Sequence, residues 1–210
     1  RIYAYPDGTI GAVWTMQNES FRGTGYNYFD GLQWNPEPLV AIEPITTGWP
    51  SYSPLGNGEM VVAHDNAGHL IISKRAVKGT GDWTTETMNA SGPGVGWPRV
   101  ITTGNTVHII ACTQDRYEGL TQAIVYYRST DAGATWEPAV ILPGLDATSL
   151  NAGENKSFIG FKPDTYSWAA PNSDTIAFAV ADCMGGDWIM KSFDNGSSWS
   201  KTTVLEIPVF

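Results

Sequence analysis

The sequence predicts an all-β fold: a β-propeller with four visible four-stranded antiparallel blades, part of a larger propeller. Three observations carry this. The tripeptide Gly48-Trp49-Pro50 recurs as Gly96-Trp97-Pro98, 48 positions later. A tryptophan closes each of four units, at Trp34, Trp83, Trp136 and Trp199, with spacings of 49, 53 and 63 residues. Short apolar runs alternate with turns rich in Gly, Pro, Asn and Asp, and no helical periodicity competes with them. Self-similarity at about 50 residues, with four short strands per period, is the pattern of radially repeated sheets. A two-layer sandwich also uses short strands, but it does not require a repeated Gly-Trp-Pro.

The units fall at approximately 1–43, 44–92, 93–145 and 146–210. The first opens with Ile2-Tyr3-Ala4-Tyr5, turns at Pro6-Asp7-Gly8 and continues as Ile10–Trp14. The second and third open at their Gly-Trp-Pro, turn at Gly56 and Gly104, and continue as Met60–Ala63 and Val107–Ala111. In the fourth, Trp168 is expected to match Trp49 and Trp97, ahead of a turn at Pro171–Asp174 and the strand Ile176–Val180. Third strands follow at Leu70-Ile71-Ile72, Ala123–Tyr127 and Trp188-Ile189-Met190. Each closing Trp is expected to open a fourth strand. The turn residues supply the backbone angles of tight hairpins.

Composition narrows the function classes. The 210 residues carry 12 Lys+Arg against 21 Asp+Glu, a net charge of -9, which disfavours a nucleic-acid partner because phosphate contacts need clustered positive charge. Charged residues make up 16%, below the usual figure of about 25%. The 42% apolar content argues against disorder. No apolar run of 18 residues occurs, so no membrane-inserted helix is expected. Cys112 and Cys183 stand 71 residues apart with no Cys-x-x-Cys, and they read as two buried thiols or one disulfide. His64, His69 and His108 show no metal-ligand spacing, so neither a metal nor another cofactor is expected. The Arg1 start, without an initiator Met, reads as a processed chain or a fragment.

Between strands three and four lies a motif of the form Ser-x-Asp-x-Gly-x-x-Trp. It occurs as Ser129, Asp131, Gly133, Trp136 and again as Ser192, Asp194, Gly196, Trp199. The Asp side chain can accept from amides of its own turn, the Gly takes a positive φ, and the indole plugs the gap between strands. Unit one keeps Gly31 and Trp34 but has Asn27 and Phe29 in the Ser and Asp slots, and unit two is three residues longer than the pattern.

These segments resemble the Asp boxes, or BNR repeats, of sialidase-like β-propellers. The wording of the repeats is also similar to propellers of large secreted proteins of Bacteroidota, many of which use type IX secretion. The resemblance implies that the boxes mark the rim opposite the ligand face. It also implies a secreted or cell-surface protein whose partner is a glycan, a peptide or another surface protein. Fold alone does not settle function, since the superfamily holds hydrolases, lectin-like binders and scaffolds.

A propeller's ligand face gathers the loops entering strand one and joining strands two and three. Placed this way, the sequence offers Arg22, His64, Asp65, Arg99, Asp115, Arg116 and Asp182 as ligand-face candidates, with Glu19, Gln114, Tyr117, Asp187, Glu154 and Lys156 nearby. Trp49, Trp97, Trp168 and Tyr166 begin the inner strands and serve either as inter-blade core or as sugar platforms. No residue is assigned a catalytic role. A sialidase-like hydrolase would need three arginines on a carboxylate, a Tyr nucleophile aided by a Glu, and a separate acid. Arg75 and Arg128 adjoin the Asp-box turns, which leaves Arg1, Arg22, Arg99 and Arg116 as the arginines available for such a clamp, and spacing assigns no Tyr–Glu pair. The sequence therefore favours a binding or scaffold module, with a sialidase-like hydrolase or a structural spacer as alternatives.

Overall fold

The computed structural model describes residues 1–152, 158–182 and 185–206. They form four antiparallel sheets. Sheet I holds β1 (Ile2–Ala4), β2 (Ile10–Gln17) and β3 (Arg22–Phe29). Sheet II holds β4 (Gly48–Leu55), β5 (Gly58–His64), β6 (Leu70–Arg75) and β7 (Thr84–Thr87). Sheet III holds β8 (Val95–Thr103), β9 (Thr106–Thr113) and β10 (Ile124–Ser129). A one-turn helix, Ala147–Leu150, is capped by Asp146 and leads towards sheet IV. Sheet IV holds β11 (Tyr166–Trp168), β12 (Ile176–Asp182), β13 (Gly186–Ser192) and β14 (Ser200–Glu206).

Sheets I and III have three strands where four are expected. After Phe29 and Tyr126 only single bridges form, to Trp34 and Val140. The sequence explains the difference. Pro36, Pro38 and Pro138 fall where those strands would run, and proline has no amide to give to a ladder. The corresponding strands of sheets II and IV contain no proline.

Strand alternation then stacks the sheets face to face, because successive side chains point to opposite faces. Ile109 and Ala111 of β9 join the apolar cluster shared with sheet II, while Ile110 and Cys112 join the one shared with sheet IV. Val13, Tyr52 and Val61 form a smaller cluster between sheets I and II. At that contact Gly11 is the residue that lets the Tyr52 ring lie against β2; a Cβ there would overlap the phenol. Among the described residues no apolar cluster joins sheet IV to sheet I.

The two Ser-x-Asp-x-Gly-x-x-Trp loops lie at one end of the sheets and share one pattern of Ser and Asp hydrogen bonds. Ser129 Oγ donates to Asp131 Oδ1 at 2.7 Å and accepts the Gly133 amide at 2.9 Å. Ser192 Oγ does the same with Asp194 and Gly196, both at 2.8 Å. Each Asp accepts an amide and a hydroxyl four residues on, from Thr135 and from Ser198. In sheet I the motif is altered rather than lost. Asp30, one place after the expected slot, accepts the amides of Leu32 and Gln33 at 2.8 Å.

Candidate functional site

The end opposite those loops is where strand one of each sheet begins. Both Gly-Trp-Pro segments are β-bulges there. Between Gly48 and Ser51, and between Gly96 and Arg99, the first strand takes three steps while its partner takes two. The extra residue places each tryptophan at positive φ, 50° for Trp49 and 54° for Trp97. A bulky residue rarely adopts that region, and bulges re-aim side chains at functional sites.

Each bulge is held by the preceding sheet. The Trp49 amide donates to Thr15 Oγ1 at 3.0 Å, and the Trp97 amide donates to His64 Nδ1 at 3.2 Å. Thr15 and His64 sit at the same position of β2 and β5, two residues after Val13 and Val62. The next sheet clamps the second bulge from the other side. Tyr166 Oη donates to the Trp97 carbonyl and Trp168 Nε1 to the Arg99 carbonyl, both at 2.9 Å. Trp168 itself lies inside the ladder, paired with Phe178, so it is not the structural match of Trp49 and Trp97.

The rings of Trp49, His64 and Trp97 meet in one cluster, with centroids 5.6 Å apart for Trp49–His64 and 5.4 Å for His64–Trp97. The Arg22 guanidinium lies 4.9 Å over the Trp49 ring, a cation–π contact. Gly48 makes room for it, since a Cβ there would overlap the guanidinium. Burial first, and then the charge of Arg22, push the His64 pKa down to about 4, with Asp65 opposing. His64 is therefore neutral at pH 7. Because Nδ1 accepts an amide, the proton of the neutral ring sits on Nε2. The Arg22 guanidinium, His64 Nε2 and the Trp49 and Trp97 indole nitrogens make no hydrogen bond among the described residues. Trp49 is 44% exposed. The cluster thus offers several unpaired donors beside aromatic surface.

Arg99 is buried and differently placed. It pairs with Asp164 and donates to the Pro98 carbonyl at 2.8 Å. Arg1 reaches the same Asp164 oxygen at 3.3 Å. Asp65 organises the β5–β6 turn, accepting the amides of Ala67 and His69 and the His69 ring. Asp115 and Arg116 are exposed, and their side chains make no polar contact among the described residues. Asp182 ends β12, paired with Gly186. Glu154 and Lys156 lie outside the described residues, as does Cys183, so the disulfide question does. Cys112 is buried. The structure brings Arg22 and His64 together and leaves Arg99, Asp115 and Arg116 apart from them. Asp164 and Thr15 escaped the sequence reading because neither belongs to a repeated motif.

The buried Tyr–Glu contacts lie at the other end. Glu59 is fully buried and accepts from Tyr26, Tyr52, Arg75 and the Gly79 amide. The Arg75 guanidinium is sandwiched at 4.4 Å and 4.5 Å by Tyr26 and Trp83. Among the described residues no group of three His, Cys, Asp or Glu side chains could hold a metal ion, and no helix is long and apolar enough to cross a membrane.

No protein-family model and no curated protein sequence matches the chain. Solved structures do. A fucose-binding lectin from Aleuria aurantia, a six-bladed β-propeller, superposes with a TM-score of 0.57 at 14% identity, over 93% of this chain and 56% of the lectin. The fold is that of a β-propeller, present in part. A family 117 glycoside hydrolase of Zobellia galactanivorans matches with a TM-score of 0.59 at 12% identity, over 96% of this chain and 68% of that one. The NanB sialidase from Streptococcus pneumoniae matches with a TM-score of 0.58 at 13% identity, over 89% of this chain and 29% of the sialidase. The propeller segment described above therefore spans well under the full length of each of these proteins.

Proposed function

We propose that this propeller segment binds a glycan at the Trp49–His64–Trp97 cluster, as a module of a secreted or cell-surface protein. The observation that carries it is the pair of repeated bulges. Each holds a tryptophan at positive φ by a bond from the preceding sheet, which leaves indole edges and N–H groups at the mouth beside an unpaired guanidinium. Sugar sites combine apolar ring surface with a few fixed polar groups. Propeller neighbours that bind or cleave glycans, the lectin and the glycosidases, support the reading. In this reading the two Ser-x-Asp loops are Asp boxes, fold markers on the far rim. Type IX secretion from a member of the Bacteroidota belongs to the same proposal.

The test is a glycan array read beside tryptophan fluorescence. Binding should fall at least tenfold in Trp49→Ala and in Arg22→Ala, with the circular dichroism spectrum unchanged. Binding that survives both changes sinks the reading. A sialidase-like hydrolase has one observation in its favour, the convergence of Arg1 and Arg99 on a carboxylate, that of Asp164. Turnover of a fluorogenic sialoside that disappears in Arg99→Ala would select it.

A further inference from the structure

We infer that the ligand of the Trp49–His64–Trp97 cluster is an acidic glycan, and that the Arg22 guanidinium takes its charged group, a sulfate ester or a uronate carboxylate. The inference rests on the glycan reading and adds the chemical class of the sugar. It starts from the six arginines of the chain. Arg1 and Arg99 pair with Asp164, Arg75 with Glu59, and Arg128 with Glu137. Arg116 is exposed to water. Arg22 alone is half-buried with no carboxylate beside it among the described residues. Withdrawing a guanidinium from water without an anion is unfavourable. Here only the Trp49 ring, 4.9 Å from it, offsets that loss.

The guanidinium is also held in place. Arg22 opens β3 opposite Gln17, and its carbonyl accepts the Thr47 amide at 3.3 Å. Gly48, the next residue, provides the cradle that a Cβ would fill. Arg1 and Arg99 are not available for the same task, because Asp164 occupies both.

The other polar side chains of the cluster point to the same chemistry, because they are donors. His64 is neutral with its proton on Nε2, and the Trp49 and Trp97 indoles have only N–H to give. Thr15 Oγ1 already accepts the Trp49 amide and keeps its O–H. Asp65, next to His64 in the chain, turns both oxygens on its own loop, to the amides of Ala67 and His69 and to the His69 ring. A sugar hydroxyl gives a hydrogen bond as well as taking one, and these side chains hold no carboxylate or amide oxygen to receive it. A sulfate or carboxylate oxygen only accepts, and beside a guanidinium its bonds are charge-assisted. The net charge of -9 limits how acidic the ligand is. The protein as a whole repels a polyanion, while Arg22 attracts one charged group at short range. The sugar that fits carries a single anionic group at the point of contact, with its ring against the exposed part of Trp49.

The experiment presents the 210-residue chain with matched sets of one oligosaccharide in neutral, monosulfated and uronate form, first on an array and then by tryptophan fluorescence titration. Within a set an acidic form should bind about tenfold more tightly than the neutral one, and the tighter of the two acidic forms names the group. Arg22→Gln should bring that ratio close to one, whereas Arg22→Lys, which keeps the charge, should retain most of it, with the circular dichroism spectrum of each variant unchanged. A second measurement needs no variant. Raising NaCl from about 50 to about 500 mM should weaken the acidic form several-fold and leave the neutral form as it was. A neutral form that binds as tightly as the acidic ones, a ratio that survives Arg22→Gln, or an equal salt response of the two forms overturns the inference. The glycan reading fails differently. No set binds in any form, or every affinity survives Trp49→Ala, and the inference then falls with it.

Discussion

The backbone amide of Trp97 donates to Nδ1 of His64 at 3.2 Å, and through that bond sheet II fixes the bulge of sheet III. One imidazole thereby serves packing and site geometry together. His64→Leu keeps the volume and removes the acceptor. It leaves the amide unpaired and should cost about 1–3 kcal/mol in urea unfolding, whereas His64→Asn, which retains an acceptor, should cost less. Equal losses for the two variants would show that the hydrogen bond contributes little.

The same bond sets a pH dependence. His64 and His108 are both pushed down to about 4, chiefly by burial. Each is neutral in the folded chain and takes a proton near pH 6.5 when unfolded. The contribution of the neutral rings is complete above pH 6.5 and is lost progressively as the pH falls towards 4. The urea midpoint should drop across that window, and His64→Asn should flatten the fall. A midpoint constant from pH 7 to 4 would contradict both shifts.

Below pH 4 a second loss is expected at the other end of the sheets. Hydrogen bonds from Ser198 and Ser192 hold the Asp194 carboxyl at about 2, and those from Thr135 and Ser129 hold Asp131 lower still. A depressed carboxyl stabilises fully above its unfolded value and loses that contribution as the pH falls through its folded one. Thermal unfolding of the parent chain should therefore steepen between pH 4 and 2. The Asp194→Asn chain should show a shallower acid limb.

Two glycines at similar φ should respond differently to alanine. Gly8 has φ 86° with nothing within 4 Å of an added Cβ, so Gly8→Ala should cost only the left-handed backbone, about 1–2 kcal/mol. Gly196 has φ 83°, and a Cβ there would overlap the Tyr126 hydroxyl, which is bonded to His108. Gly196→Ala should cost about 1–3 kcal/mol more, the usual penalty of overpacking. Chemical denaturation of the two variants side by side decides this.

Tyr166→Phe removes the one bond that sheet IV makes to the Trp97 carbonyl while keeping the buried ring. It should cost about 1 kcal/mol of stability and loosen Trp97. Faster hydrogen–deuterium exchange of the Trp97 amide, the group bonded to His64, would register the second effect.

Repeat spacing and turn residues determined, from the sequence alone, the all-β class, the order of strands and the two loops in which Asp131 and Asp194 bind their own turns. Such features are local: a hairpin or an Asx-type turn depends on residues within a few positions of each other. The missing fourth strands of sheets I and III were also written in the chain, in Pro36, Pro38 and Pro138. Only the tertiary structure decided what the repeated tryptophans do. Trp49 and Trp97 sit at positive φ because Thr15 and His64, 34 and 33 residues earlier, accept their amides from a neighbouring sheet. It likewise decided that Arg22 meets Trp49 while Arg99 is taken by Asp164. Contacts between sheets join residues far apart in sequence, and their pairing depends on how the faces stack, which no local pattern encodes.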